Sequence, residues 1–535
     1  MGFGQRDKSL FMGAGFPAGN AVCSMTKTKY SVRGRQNSPE MEEIMTGSEK
    51  IDFLRSVKAT CLKESKKGAK ANGKMSARER IGELFDEGSF IETGALMRKH
   101  TESVEEAAQA SSEGVVTGYG TVNGRLTFVY AQDPAILNGA VSQMHAAKII
   151  KVMELAAKAG APLVGIVDCG GGLLEEGIGL LDSYGAILAK AMEIKNAVPH
   201  INLVAGYCPG ISAIVSQISD FVVMSEKDGK LYMQAGQTFG IVSEEYGGAK
   251  QASSLGLADL TAPDDLQAIA QVKTLLDYLP DNVLSDPPET ACDDDLNRTS
   301  EKLDQLLLEE VYDACEAVKE IGDNRTFLEL KNGYAPCVVT GLIRINGRTV
   351  GVVASQPKEN EGRLTVEALK KTADFVNLCD GLNIPVITLV NTPGYCFGPE
   401  DTKKIIDAAA DCMAVYQNAS VPKITVVAGK AYGSAYLVMG SSQLGADLTF
   451  ALPGAEISVI NPKGGADIFF ASQIAGAKDP YTGRQKAEEK FKEVYSNPYV
   501  AAAKGMVDDV VEPNSLRPIL ASGLEMLYAK IEMES

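Results

Sequence analysis

The stretch Val421 to Gly440 (VPKITVVAGKAYGSAYLVMG) has an earlier counterpart in Val198 to Ala213 (VPHINLVAGYCPGISA), at a constant offset of 223 residues. Val198-Pro199, Gly206 and Gly210 recur as Val421-Pro422, Gly429 and Gly433. The same offset links Gly124-Arg125 to Gly347-Arg348, Lys148 to Lys371, Pro162 to Pro385 and Gly171 to Gly394. Agreement in one frame means that the chain is two copies of one unit. Its 535 residues also exceed what one hydrophobic core usually serves.

The unit alternates strands and helices, which is an α/β pattern. Gly114 to Ala131 alternates around a turn signal at Asn123-Gly124 and predicts a β-hairpin. Gly139 to Lys158 is helical in spacing, Ala161 to Asp168 is a buried strand, and Gly170-Gly171-Gly172 is the loop that follows. Glu175 to Asn196 is helical, the VPHINLVAGY strand comes next, and Ile211 opens another helix.

Upstream, helical spacing begins at Ile51, and Ser76 with Glu79 forms a capping box ahead of Arg80-Ile81. Ser285 to Asn297 (SDPPETACDDDLN) reads as a linker, and helical sequence from Thr299 to Gly322 leads into the second copy. The expected division is therefore 48–285, a linker at 286–300, and 301–535. Residues 1–47 are Gly- and Ser-rich without periodicity and read as a disordered tail or an upstream-start artefact; a transit-peptide signal is weak.

Composition narrows the function. A net charge of −17 argues against a nucleic-acid surface, which needs clustered Lys and Arg. No stretch approaches 18 consecutive apolar residues, so no direct membrane span is expected. Ten cysteines are scattered without a CxxC pair, which points to no metal site, no disulfide framework and a reducing, cytoplasmic setting. Of the three histidines, His145 falls in a helix and His200 opens a strand, and both read as structural. General acid-base catalysis most often uses His, so the catalyst here need not be a side chain.

The element that can carry chemistry is strand, Gly-containing turn and helix N-terminus: Gly206 to Ala213 in the first copy, Gly429 to Tyr436 in the second. First-turn N–H groups have no intrahelical partner and sit at the positive end of the helix dipole, so they can hold a developing oxyanion. The competing view is that Gly210, Gly433 and Ala435 only allow close packing; recurrence of the turn in both copies favours the functional one. Ser434 lacks the flanking glycines and placed His of a nucleophile elbow. Gly170, Gly171, Gly172, Pro393 and Gly394 end buried strands, where ligands approach α/β sheets. Asp168 and Asn391 match in the repeat and read as loop braces, and Cys169, Cys208 and Cys396 read as buried and inert.

These residues resemble the biotin-dependent acyl-CoA carboxyltransferase family: the β subunits of propionyl- and acetyl-CoA carboxylases and the carboxyltransferase chains of related decarboxylases. The likeness runs from about Ile51 to the C-terminus. It is carried by GKMSARERIGELFDEGSF (Gly73 to Phe90), AQDPAILNGAVSQMHAAKI (Ala131 to Ile149), DPPETACDD (Asp286 to Asp294), VPKITVVAGKAYGSAY (Val421 to Tyr436) and NPYVAAAKGMVDDVVEP (Asn497 to Pro513).

The resemblance implies two tandem crotonase-like domains of the ClpP/crotonase class, each a spiral of ββα units. It further implies a homo-hexamer built as a trimer of dimers, with an acyl-CoA site shared between subunits. In such families carboxybiotin releases CO₂, the ureido nitrogen takes the α-proton of the acyl-CoA, and the enolate attacks the CO₂. By this likeness Gly210 and Ile211 would hold the enolate oxygen, Ser434 and Ala435 the biotin ureido oxygen, and Gly433 would lie against substrate. A separate biotin carboxyl carrier protein and a biotin carboxylase subunit are implied, because no AMKM-like segment or ATP-binding carboxylase domain is present.

The expected substrate is acetyl- or propionyl-CoA. The alternatives are the carboxyltransferase of a sodium-pumping methylmalonyl-CoA or glutaconyl-CoA decarboxylase, and a non-catalytic assembly subunit. The chain departs from the family in reading Pro209-Gly210-Ile211 and Gly433-Ser434-Ala435 at the two turns, and the bulk of Ile211 is expected to narrow the acyl site. Asp407 and Asp411 stand where the family is basic after Gly394, and Leu437 lies near the acyl-tail position.

Overall fold

The computed structural model describes residues 47–56, 59, 73–97, 113–195, 197–241, 243 and 245–534. The expectation of a disordered tail over residues 1–47 falls, apart from Gly47, outside them. In the unit that ends at Leu54, residues 47–54 are helical. Arg55–Ser535 forms the second unit.

The first copy is entered by α1 (Ala77–Leu84), with Ser76 and Glu79 closing the capping box reciprocally. Then come β1 (Ile91–Thr93), β2 (Val115–Val122), β3 (Arg125–Gln132), α2 (Gln143–Ala159), β4 (Leu163–Val167) and α3 (Gly179–Ile194). The copy continues with β5 (His200–Val204), β6 (Tyr207–Pro209), α4 (Ile211–Ile218), β7 (Phe221–Ser225), β8 (Lys230–Tyr232), β9 (Leu260–Ala262) and α5 (Asp265–Tyr278). The sheet runs β1-β2-β3-β4-β5-β7-β9, antiparallel through β3 and parallel beyond it. Strands β6 and β8 form a separate parallel pair.

The second copy is preceded by α6 (Glu301–Leu307) and α7 (Ala314–Ile321). The helical run expected from Thr299 to Gly322 is thus broken, because Asp313 turns its side chain to the Cys315 N–H and caps a new helix. There follow β10 (Leu328–Leu330), β11 (Val338–Ile345), β12 (Arg348–Ser355), α8 (Val366–Gly381), β13 (Val386–Thr392) and α9 (Thr402–Asn418). The sheet is completed by β14 (Lys423–Tyr432), α10 (Gly433–Val438), β15 (Leu448–Ala451), β16 (Glu456–Ser458) and β17 (Asp509–Val510). Its order, β10-β11-β12-β13-β14-β15-β17 with β16 beside β14, repeats the first sheet. The protein is a mixed α/β structure. Among the described residues no helix is long and apolar enough to cross a membrane.

The repeat is visible in the backbone as well as in residue identity. Left-handed φ occurs at Asn123, Gly124, Asn138, Gly139, Gly160, Gly171 and Gly210, and at the same offset at Asn346, Gly347, Glu361, Gly362, Asn383, Gly394 and Gly433. The paired lysines also act alike, each tying a helix to the start of a hairpin. Lys148 donates to the Val115 carbonyl, and Lys371 to the Val338, Lys331 and Tyr334 carbonyls. One apolar cluster runs through both copies, and Arg344 Nη2 reaches the Asp277 carbonyl at 2.8 Å across them.

A third matched feature lies where β5 and β14 begin. The His200 N–H donates to Asp220 and the Lys423 N–H to Asp447, each at 2.8 Å. Lys530 then closes on Asp447 at 2.9 Å, whereas Asp220 borders a cavity of about 370 Å³. Burial holds the Asp220 carboxyl up at about 7. A carboxyl raised in the folded state stabilises fully below its unfolded value, near 4, and loses that contribution as pH rises through 7. Asn at this position keeps the acceptor for His200 without the charge. We therefore expect Asp220→Asn to melt higher than the parent at pH 8, with the gap closing towards pH 4; an equal gap at both pH values would refute the assignment.

Candidate functional site

The two strand–turn–helix elements rest on braces that the sequence hinted at. In the first copy the Asp168 carboxylate follows the end of β4 and accepts the Tyr207 N–H at 3.3 Å. In the second, the Asn391 side-chain oxygen accepts the Lys430 N–H at 2.9 Å. Asp168 and Asn391 therefore brace their loops. They also account for the recurrent glycines ahead of the turns. A Cβ at Gly206 would run into the Asp168 carboxylate, and one at Gly429 would lie 2.6 Å from Asn391. The strand expected to run through Gly206 is interrupted at that point, ending β5 at Val204 and resuming as β6.

Asp168 carries a charge that Asn391 lacks, and it is neutralised from α1. Arg80, with no exposed surface, donates Nη1 to Asp168 Oδ2 at 3.2 Å, Nε to Asp265 at 2.8 Å and Nη2 to the Ala205 carbonyl at 3.2 Å. Lys74 approaches the same carboxylate at 3.4 Å and sits over the Tyr207 ring. Sequence reasoning missed both residues. The available signal was an arginine on the apolar face of α1, in register with Ala77, Ile81 and Leu84.

Around this brace the first copy gathers Gly170, Gly171, Gly172, Gly210 and Ile211 on one cavity of about 500 Å³. Tyr184, Tyr207 and Tyr232 line it too, and no motif had pointed to them. Gly171 has φ +106° and Gly210 φ +55°, conformations that glycine adopts without strain. The Gly210 N–H donates to the Tyr232 carbonyl at 2.9 Å. It is therefore occupied in this structure, whereas Ile211 is the first residue of α4 and its N–H has no intrahelical acceptor. Ile211 lines the cavity while packing partly on the core.

In the second copy Thr392 pairs with Ala431 across the parallel ladder, so Pro393-Gly394 and Tyr432-Gly433 leave adjacent strand ends. Gly433 has φ +58°, and a Cβ there would stand 3.0 Å from the Val459 carbonyl. Ser434 and Ala435 follow in the first turn of α10. Pro393 and Tyr395 occupy the positions that Gly170 and Gly172 hold in the first copy, where Asn138 and Leu180 fill the space that a side chain would take. Burial pushes the Tyr395 phenol up, with the Ser434 hydroxyl beside it opposing the shift. The Tyr395 hydroxyl makes no hydrogen bond of ordinary geometry.

Among the described residues, the histidines and buried thiols of the first copy are not poised for proton transfer. Burial takes His145 down to about 3 and His200 down to about 4, leaving both neutral. Burial pushes the Cys169 thiol up and takes Cys208 to about 12. Cys396, expected to be buried, is exposed. The site is thus built of backbone donors, glycine surfaces and tyrosine walls, an arrangement that can bind and stabilise an oxyanion.

A family model for the carboxyl transferase domain matches residues 69–535. The methylmalonyl-CoA decarboxylase subunit alpha of Propionigenium modestum is 37% identical over 475 residues, covering 86% of this chain and 92% of its own. The propionyl-CoA carboxylase carboxyltransferase subunit of Haloferax mediterranei is 35% identical over 503 residues, covering 91% of this chain and 97% of its own. The solved structure of transcarboxylase 12S with methylmalonyl-coenzyme A and methylmalonic acid bound superposes with a TM-score of 0.85 at 34% identity, covering 91% of this chain and 96% of that one.

Removing Arg80 leaves the buried Asp265 carboxylate without its cation and Asp168 with Lys74 alone. Arg80→Met is expected to lower stability by about 3–5 kcal/mol, measured by denaturant unfolding, with Asp168→Asn in the same background recovering part of the loss.

Proposed function

Because the chain belongs to the carboxyl transferase domain family and is an enzyme of that family, we propose that it is the carboxyltransferase subunit of a biotin-dependent acyl-CoA carboxylase. It acts on a short acyl-CoA, and the propionyl-CoA/methylmalonyl-CoA pair is favoured over acetyl-CoA by the names that its relatives carry. The observation that carries this reading is the pair of matched turns, one of them opening on the 500 Å³ cavity between the Gly170 loop and Ile211. Its partners are a biotin carboxyl carrier protein and a biotin carboxylase subunit. The same reading takes the halves 48–285 and 301–535 as tandem crotonase-like domains of ββα spiral type, and the setting as cytoplasmic. Eight described cysteines standing as free thiols are consistent with that setting.

In this scheme the Ile211 N–H holds the thioester oxygen as it becomes an enolate. Gly210 contributes its left-handed turn, because its own N–H is spent on Tyr232. Gly171, beside which a Cβ would meet nothing, admits the substrate against bare backbone. The second turn fits the oxygen of a cyclic urea, since Gly433 and Ser434 present a small surface and the N–H groups of Ser434 and Ala435 lack intrahelical acceptors. Carboxybiotin, when bound, supplies the carboxyl group. Both sets of donors are fixed before substrate arrives, so little reorganisation is needed as charge develops.

Decarboxylation by a methylmalonyl-CoA decarboxylase assembly is the second reading, favoured by the Propionigenium relative. The enolate is common to both directions, so the same donors serve either. Assembly as a homo-hexamer, a trimer of dimers, belongs to the same proposal. Large apolar side chains stand open near each turn: Leu174 is 83% and Ile178 85% exposed in the first copy, and Val459 is 91% exposed in the second. Covering them with a neighbouring subunit would remove water from the site.

Two measurements test the proposal. Streptavidin capture from the source cells should recover the chain with a biotinylated partner, and the complex should carboxylate propionyl-CoA or decarboxylate methylmalonyl-CoA; recovery of no biotinylated protein would sink it. Ser434→Pro removes one N–H while suiting a first-turn position, and transfer should fall by about 10²–10³-fold. Separately, Val459→Asp should shift the assembly to smaller species in light scattering, with loss of transfer.

A further inference from the structure

Helix α3 turns one face inward, carrying Leu180, Tyr184, Ile187 and Ala191 at helical spacing. Tyr184 is 7% exposed and lines the 500 Å³ cavity opposite the Gly170 loop and Ile211. It also lines a second, inner cavity of about 20 Å³, walled by Val141, Ile149, Val167, Ile187 and Val215 together with polar groups that include Gln132. The ring therefore stands between the two spaces. The inner one holds about a single water as it is, and the buried Gln132 Oε1 beside it has no hydrogen-bond partner. The Tyr184 hydroxyl lies beside the Cys169 thiol and Ser212. In the second copy the inward face of α9 carries Ile405, Ala408, Cys412 and Tyr416, with no tyrosine in the turn that corresponds to Tyr184, so the arrangement belongs to the first copy alone.

We propose that Tyr184 is the partition that limits acyl chain length, closing the cavity behind the thioester position and keeping the hydrocarbon-lined inner space from the substrate. This rests on the acyl-CoA reading above. A short acyl group ends against the ring; a longer straight chain needs the inner space and meets the phenol first. Shortening the side chain joins the two cavities, and the walls then exposed are mainly branched aliphatic side chains, which suit further methylenes. Each methylene accommodated in an apolar pocket changes discrimination by tenfold or more.

The test uses the full chain. Calorimetric affinity is measured for propionyl-, butyryl- and hexanoyl-CoA, and kcat/KM is measured for the same series with the biotinylated partners present. Tyr184→Ala is expected to raise the hexanoyl-to-propionyl ratio at least tenfold, while Tyr184→Phe, which keeps the ring, leaves the ratio as in the parent. If the alanine variant does not fold, Tyr184→Leu carries the same comparison. Ile187→Ala enlarges the inner space behind an intact ring and should leave the ratio unmoved. A folded Tyr184→Ala or Tyr184→Leu protein with an unchanged ratio overturns the proposal, as does a shift caused by Ile187→Ala alone. A parent chain that binds acyl-CoA esters but transfers no carboxyl group would defeat the functional reading, and the calorimetric ratio would still decide the role of Tyr184.

Discussion

The contact on which the first site depends is the buried pair between Arg80 and Asp168. One carboxylate fixes the end of β4, accepts the N–H that starts β6, and lies where a side chain at residue 206 would otherwise be. Taking both charges out of water is costly unless the geometry is good and the remaining donors are satisfied. Arg80 meets that condition by spending its other nitrogens on Asp265 and the Ala205 carbonyl. Loop, strand end and turn are thereby tied to α1, the helix that enters the first copy. The second copy achieves the same brace with the neutral Asn391, and its strand runs unbroken from Lys423 to Tyr432.

From that difference the two copies divide the work. In the first loop glycines at 170 and 172 make room for Asn138 and Leu180, and tyrosine walls complete a cavity; proline and tyrosine stand at the matching positions of the second. The backbone of each turn is the same, with Gly210 and Gly433 differing by only a few degrees in φ. Chemistry that needs two oxygens held in two different surroundings can be built this way from one duplicated element, by changing what lies in front of the turn and not the turn itself.

Much of this was legible in the sequence because it depends on local rules. Hairpins at Asn123-Gly124 and Asn346-Gly347, the capping box at Ser76, and the strand–loop–helix order each follow from residues close in the chain. Asp168 and Asn391 were readable as braces because the repeat aligned them after buried strands. The features that were not legible depend on partners distant in sequence. Nothing near Gly210 announces that its N–H will meet the Tyr232 carbonyl, and that bond moves the available donor to Ile211. Arg80 falls on the apolar face of α1, but its carboxylate partners at 168 and 265 are distant in the chain. Cys396 follows a buried strand and a loop, and its exposure reflects how that loop is seated, which local pattern does not encode.

The matched left-handed residues bear on ancestry. At several of them the side chain has changed wholly between copies, Gly160 to Asn383 and Asn138 to Glu361, yet the sign of φ has not. A non-glycine residue there accepts strain to keep the path of the chain. Duplicated halves of a protein can thus drift apart in composition while their backbone keeps a record of common descent. In diverged pairs of this kind, the sequence of φ signs is a more durable alignment key than the residues themselves.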